Sequence, residues 1–173
     1  MKNVLSHLPL IGSHSEKDRD VLTLLKSIPI FSGLTRTELA SVERILHRRE
    51  YQHEEVIFRQ NEPGMGMYII ASGKVHIVSD PRSIIFAELG DGEFFGELAL
   101  LDDAPRSATA VAKAPTSILG FFQPDLFGLI ERNPRLGVKI VLRLAGVIGA
   151  RLRTKDIQLQ AALEQLGERG SSV

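Results

Sequence analysis

The residues best placed to do chemistry lie in one run, Phe94-Phe95-Gly96-Glu97-Leu98-Ala99-Leu100-Leu101, continued by Asp102-Asp103-Ala104-Pro105-Arg106-Ser107-Ala108-Thr109-Ala110. The run leaves a strand at Gly96, makes one helical turn over Glu97–Leu101, loops through Pro105 and opens a new strand at Arg106. The start of such a turn presents backbone N–H groups with no partner inside the turn, and these together with the peptide dipoles attract an anion. Gly96 lets the backbone approach closely, with no Cβ in the way. Arg106 supplies a forked cation for the same anion, and Ser107 adds a hydroxyl and a backbone N–H. Glu97 needs a different partner, because a carboxylate repels an anion; a sugar hydroxyl, which donates to it, fits. A carboxylate for a hydroxyl beside an arginine for a phosphate describes a ribose phosphate. No second basic residue lies nearby, so the phosphate should carry a single negative charge, as a cyclic monophosphate does and ATP does not. The alternative use of the same two residues is an internal Glu97–Arg106 ion pair. Asp102 and Asp103 read as solvated loop residues.

Phe95-Gly96-Glu97-Leu98-Ala99-Leu100 followed by Pro105-Arg106-Ser107-Ala108 resembles the phosphate-binding cassette of cyclic-nucleotide-binding domains, the family that includes the sensor domains of catabolite activators and the regulatory subunits of cAMP-dependent kinases. The pattern F-G-E-[LI]-[AG]-L, a variable gap, then [PE]-R-[STA]-A is filled without departure. The resemblance runs over about residues 28 to 160, with Gly64, Gly73, Gly92 and Gly96 where the family places turn glycines. It implies an eight-stranded jelly roll flanked by helices. It also implies that Glu97 takes the ribose 2′-hydroxyl and Arg106 the cyclic phosphate, with the N–H groups of Leu98, Ala99, Ser107 and Ala108 on the phosphate oxygens. The implied ligand is regulatory, cAMP ahead of cGMP. Serine at 107 goes with cAMP in bacterial relatives, and the strand Ser83–Leu89 holds no arginine for guanine O6, Arg82 lying just before it. Where relatives offer hydroxyl residues from the long helix to the base, this chain has Thr154, Lys155 and Asp156, the candidate base contacts.

The elements that must position this cassette are short and β-rich. Strands are predicted over Glu55–Arg59, Met67–Ala71, Lys74–Ser79, Ser83–Leu89, Ser107–Lys113 and Thr116–Phe122, within a jelly roll spanning residues 47–122. Turn signals separate them, and Ser72-Gly73 reads as a tight hairpin. Even spacing of short strands implies an antiparallel sandwich or barrel, a mostly β, α+β class, and the resemblance implies that it is a jelly roll. Residues 1–18 are expected to be flexible, and the domain proper to run over 19–173. Helices are expected over 20–46: Asp20 caps a first one through Lys26, Ile28–Phe31 is an extended apolar plug, and Thr35 with Glu38 forms a capping box for a second. C-terminal helices are expected over 124–167, a short one over Asp125–Arg132 and a long one from Pro134 to about Leu166. Val141, Ala145, Ile148, Leu152, Leu159, Ala162 and Leu166 lie on a heptad seam with Lys155 as its polar member. Such a seam predicts a parallel homodimer through this helix, the alternative being a helix packed along its own barrel.

Composition narrows the rest. The 173 residues are 43% hydrophobic, enough for a core without staples, and contain no cysteine, which excludes disulfides and thiolate metal sites. Lys plus Arg equal Asp plus Glu at 21 each, and the Arg48-Arg49 pair is too small for a basic patch, so direct nucleic-acid binding is not expected. Val4–Ile11 is broken by His7 and Pro9 and lacks a signal-peptide cleavage site, and Val138–Ala150 is too short to span a membrane and carries Lys139 and Arg143. The expected setting is the cytoplasm. The five histidines show no metal-ligand spacing, His47 and His53 read as surface residues, and Tyr51 and Tyr68 as sheet packing. No catalytic motif frames a nucleophile, so no enzymatic activity, metal or cofactor is expected. The functional expectation is a regulatory sensor module that moves its C-terminal helix on binding cyclic nucleotide and acts on a downstream protein the sequence does not identify. The alternatives are the sensor part of a catabolite-activator-type transcription factor lacking its DNA-binding domain, and a non-binding dimerisation scaffold. Seven residues follow Leu166, too few for a helix-turn-helix.

Overall fold

The computed structural model describes residues 21–80 and 84–170, with side chains through residue 166. The expected flexible segment 1–18, the Asp20 cap, Arg82 and the start of the strand at Ser83 lie outside the described residues. Among the described residues eight strands form two four-stranded antiparallel sheets, β1 (His47–Tyr51), β2 (Val56–Phe58), β3 (Gly66–Ser72), β4 (Val75–Ser79), β5 (Ile84–Leu89), β6 (Phe94–Phe95), β7 (Thr109–Ala112) and β8 (Thr116–Phe122). One sheet has the order β1-β8-β3-β6 and the other β2-β7-β4-β5; neither closes on itself. The jelly-roll architecture with flanking helices is therefore as the sequence implies.

The first sheet is covered on both faces, and its sequence says so. In β3, Met67 and Ile69 point into a cluster shared with the helices, while Ile70 and Tyr68 point into a second cluster between the sheets with Val75, Ala110 and Ala112. In β8 the same division sends Leu119 and Phe121 one way and Ile118 the other. A strand buried on both faces reads as a continuous apolar run rather than an alternating one, and Ser-Ile-Leu-Gly-Phe-Phe is such a run. Gly73 turns β3 into β4 at φ +115°, a left-handed conformation in which a Cβ would also strike Thr116.

One strand and one turn depart from the sequence reading, and the strand expected to end at Gly96 is only two residues long. His47–Tyr51 is an edge strand paired only to β8, with four exposed polar residues before buried Tyr51, so it lacks the β-branched alternation that marks a strand. Phe94–Phe95 is two residues long and is defined by its pairing with Tyr68 and Ile69 of β3. The expected extended plug Ile28–Phe31 is instead a 3₁₀ turn over Pro29–Phe31, because Pro29 at the first position already holds the helical φ and lacks the N–H that such a turn would leave unpaired. Ile30 and Phe31 are still fully buried.

Residues 21–27 form α1, and Arg36–Glu43 form α2. The capping box of α2 is present: Glu38 N–H donates to Thr35 Oγ1 at 3.2 Å, and Thr35 N–H donates to Glu38 Oε2 at 2.8 Å. Glu38 also accepts from Lys139 Nζ at 2.6 Å, which ties α2 to the long helix and, with the Thr35 N–H, holds the Glu38 carboxyl below its usual range. Thr35→Ala is expected to destabilise the chain by about 1 kcal/mol, read as a lower urea midpoint at constant slope.

The α3 helix covers Gln123–Arg132 and α4 covers Pro134–Gly170. Leu136, Ile140 and Leu144 of α4 are fully buried, and Val141, Val147 and Ile148 pack beside them. From residue 150 onward every described side chain of α4 is exposed. The helix thus divides: its first half packs along its own domain, and its second half projects beyond it. Val141 and Ile148 of the expected seam are used by the domain itself. Among the described residues no helix is long and apolar enough to cross a membrane, and no group of His, Asp and Glu could hold a metal ion.

Candidate functional site

A cavity of about 740 Å³ opens between β4–β5, the cassette and the middle of α4. That lies within the size range of small-molecule sites, and its walls are mostly apolar, with Phe58, Ile77, Phe86, Leu89 and Phe94 facing a few polar groups.

The cassette folds as its composition dictates. Gly96 sits at φ +73°, and a Cβ there would lie 2.6 Å from Arg106 Nη1, so a side chain would be strained and would push the guanidinium aside. Glu97–Leu100 form a single 3₁₀ turn. Of the N–H groups expected to face the anion, that of Ala99 already reaches the Gly96 carbonyl at 3.3 Å. The backbone of Arg106 is fixed by the loop before β3: its N–H donates to Glu62 O at 2.8 Å and its carbonyl accepts from Asn61 N–H at 2.9 Å.

Arg106 is 6% exposed and has no carboxylate partner among the described residues. Its Nη2 donates to Gly66 O at 2.8 Å and its Nη1 to Gly96 O at 3.2 Å, while its plane lies over the Phe58 ring at 4.1 Å and near Tyr68 at 5.5 Å. Its Nε has no hydrogen-bond partner. Burial pushes the guanidinium's pKa down from its ordinary value, with Tyr68 acting in the other direction. A desolvated cation with a spare donor on a cavity wall is an anion receptor.

Glu97 is 8% exposed and does not pair with Arg106. Its cation is Arg151 of α4, whose Nη1 donates to Glu97 Oε2 at 2.7 Å, whose Nη2 donates to Phe94 O at 3.0 Å, and whose guanidinium lies 4.4 Å over the Phe94 ring. Oε1 of Glu97 is not engaged by any described residue. The internal Glu97–Arg106 pair weighed from sequence is thus absent: the two charges are held apart and both border the cavity.

Gly96, Glu97, Leu98, Ala99, Arg106, Ser107 and Ala108 all line this cavity, as do Thr154 and Lys155 from α4. Asp156 does not. Sequence reasoning missed Arg151, although a signal existed: it continues the buried stripe Leu136, Ile140, Leu144, Val147 at helical spacing. It also missed a support behind the cassette. Buried Thr109 donates to Asp80 Oδ2 at 2.6 Å and accepts from Gln60 N–H at 2.8 Å, and Asp80 N–H returns to Gln60 Oε1 at 2.8 Å. This ring ties the strand that follows Arg106 to the end of β4.

The family model for the cyclic nucleotide-binding domain matches residues 48–133. The chain is 38% identical over 140 residues to a cyclic AMP receptor protein of Thermus thermophilus, covering 78% of this chain and 62% of that one. It is 34% identical over 137 residues to a cAMP-dependent protein kinase regulatory subunit of Hypocrea atroviridis, covering 75% and 29%. The crystal structure of the Thermus thermophilus catabolite activator protein superposes with a TM-score of 0.68 at 37% identity, over 76% of this chain and 62% of that one. The chain therefore spans less than two thirds of the length of these relatives. With the cassette, the two sheets and the helices in place, the chain belongs to the cyclic nucleotide-binding domain family.

Proposed function

We propose that this chain is a cytoplasmic regulatory module that binds cAMP in preference to cGMP and carries out no chemistry on it. The observation that carries the reading is the buried, carboxylate-free guanidinium of Arg106, a residue that lines the cavity and whose Nε has no hydrogen-bond partner. Arg106 is the one cation of the cassette, which suits the single charge of a cyclic phosphate; of the two further cations on the cavity wall, which the sequence reading did not place near it, Arg151 is engaged by Glu97 and Lys155 by Gln158. Glu97 Oε1 takes the ribose 2′-hydroxyl. The apolar wall of Phe86, Ala87 and Leu89 faces the base.

The Glu97–Arg151 pair gives the output. It is a direct bond from the ligand-reading carboxylate to α4, so engaging Glu97 with a ribose changes what holds the helix. In this reading α4 shifts over the cavity when ligand enters, carrying Thr154 and Lys155 onto the base, and the change passes to the projecting half of α4. That half pairs with a second copy of the chain.

Guanine offers more polar edges than adenine to the wall of β5, which is apolar where it meets the cavity. Leaving one of them unpaired costs about 1–3 kcal/mol. Calorimetric titration is expected to show cAMP binding at least about 10-fold tighter than cGMP, and 5′-AMP weaker than either. Equal or tighter binding of cGMP overturns the base preference alone; absence of binding by both cyclic nucleotides overturns the function.

A further inference from the structure

The ring of hydrogen bonds behind the cassette joins neighbouring segments of one sheet. Gln60 follows β2, Thr109 opens β7 and Asp80 follows β4, in the sheet order β2-β7-β4-β5. A carboxylate only accepts, so the buried Thr109 hydroxyl must donate to Asp80 and receive the Gln60 N–H on a lone pair. The return bond from Asp80 N–H to Gln60 Oε1 closes the ring, and the direction of every bond in it is fixed.

Gln60 also belongs to the turn Arg59–Glu62, which is closed by Glu62 N–H on Arg59 O at 3.2 Å and by Arg59 N–H on Glu62 Oε2 at 2.8 Å. Asn61 in that turn stands at φ +68°, a left-handed conformation that is uncommon outside glycine and is kept where the surroundings determine it. The Asn61 N–H and the Glu62 carbonyl are the two groups that hold the backbone of Arg106. At its other side the ring holds Asp80, where the chain leaves β4 for β5, and these two strands supply Ile77, Phe86, Ala87 and Leu89 to the cavity wall.

We propose that Gln60, Asp80 and Thr109 are positioning residues for ligand recognition: their ring locks the turn that carries Arg106 to the strands that face the base, so that the phosphate donors and the base wall keep one spacing. The proposal rests on the reading of the cavity as a cyclic-nucleotide site and deepens it. None of the three residues lines the cavity. They act through the Arg106 backbone and through Ser107 and Ala108, which join Arg106 to Thr109. A hydrogen bond weakens steeply as its angle closes, so slack in this backbone is felt at the phosphate.

The test is calorimetric titration of the full chain and its variants with cAMP and with its two exocyclic phosphorothioate diastereomers, beside thermal unfolding without ligand. The ratio of the diastereomer affinities reads how differently the two exocyclic oxygens are held, and a general loss of stability does not move it. Thr109→Val keeps the shape of the side chain and removes the hydroxyl. It is expected to weaken cAMP binding about 5-fold, the worth of one net hydrogen bond, and to bring the diastereomer ratio closer to unity. Thr109→Ser keeps the hydroxyl and is expected to keep both affinity and ratio. Thr116→Val makes the same change at a residue 1% exposed beside the Gly73 turn, and is expected to lower Tm without altering affinity or ratio. Asp80→Ala breaks the ring from an exposed position, and combined with Thr109→Val it should cost no more than either change alone. A Thr109→Val variant that loses stability but keeps cAMP affinity and ratio overturns the positioning role. So does a Thr109→Ser variant that loses as much as Thr109→Val, or a double variant whose losses add. Failure of the unmodified chain to bind cAMP overturns the function itself, and the positioning role with it.

Discussion

Arg106→Ala is expected to lower cAMP affinity about 30-fold or more, because truncating one member of a buried, hydrogen-bonded charge pair costs about 2–5 kcal/mol. The size of the effect follows from how little else serves the guanidinium. It is 6% exposed, two of its three nitrogens go to the carbonyls of Gly66 and Gly96, and the third has no partner. Without a carboxylate to share its charge, it meets the phosphate with its full charge in a desolvated setting, where an ion contact is strong. Arg106→Lys is expected to recover only part of the loss: an ammonium keeps the charge but cannot bond two carbonyls and a phosphate in one plane. Calorimetry measures both. Thermal unfolding gives the control, since the ligand-induced rise in Tm should be smallest in Arg106→Ala and partly kept in Arg106→Lys while both remain folded without ligand. Unchanged affinity in Arg106→Ala would remove the basis for assigning the cavity to a cyclic nucleotide.

The same residue shows why the cassette was legible in the sequence. Gly96, Glu97 and Arg106-Ser107-Ala108 act through local geometry: a glycine that must turn left-handed, a turn of 3₁₀ helix and a strand that returns ten residues later. Local geometry leaves a local pattern. What Arg106 rests on does not. Phe58, Tyr68 and the Gly66 carbonyl reach it from β2 and β3, and only the pairing of the sheets brings them there. Arg151 was hidden for the same reason, its partner Glu97 lying 54 residues away in sequence. The strands that read clearly were those with apolar runs of their own, buried as in β3 and β8 or largely exposed as in β5. The charged edge strand β1 exists through its partner β8, and nothing in its own composition declares it, while β6, legible as a strand ending at Gly96, takes its two-residue bounds from its pairing with β3. The long helix was legible in extent, but not in which of its faces the domain uses: Val141 and Ile148 of the expected seam pack against the domain itself.

Glu97→Ala is expected to lower cAMP affinity about 10-fold or more, a hydrogen bond to a charged acceptor being worth about 1.5–3 kcal/mol. The loss by itself does not identify the ribose as the cause, because the same substitution also frees Arg151. A comparison with 2′-deoxy-cAMP separates the two. If Oε1 accepts the 2′-hydroxyl, the native chain should bind the deoxy ligand less tightly than cAMP, and Glu97→Ala should scarcely distinguish them. The coupling between ligand hydroxyl and side chain is then the difference of two differences, which cancels any general damage to the cavity. Arg151→Met supplies the second arm. It removes the cation that holds Oε2 at 2.7 Å but leaves the carboxylate facing the cavity. Discrimination between cAMP and its deoxy form should therefore persist in Arg151→Met even if overall affinity shifts. Discrimination that survives in Glu97→Ala would show that another group reads the hydroxyl. Its loss in both variants would instead make Arg151 the residue that orients the carboxylate, and would give the bond between cassette and α4 a direct part in recognising the ligand.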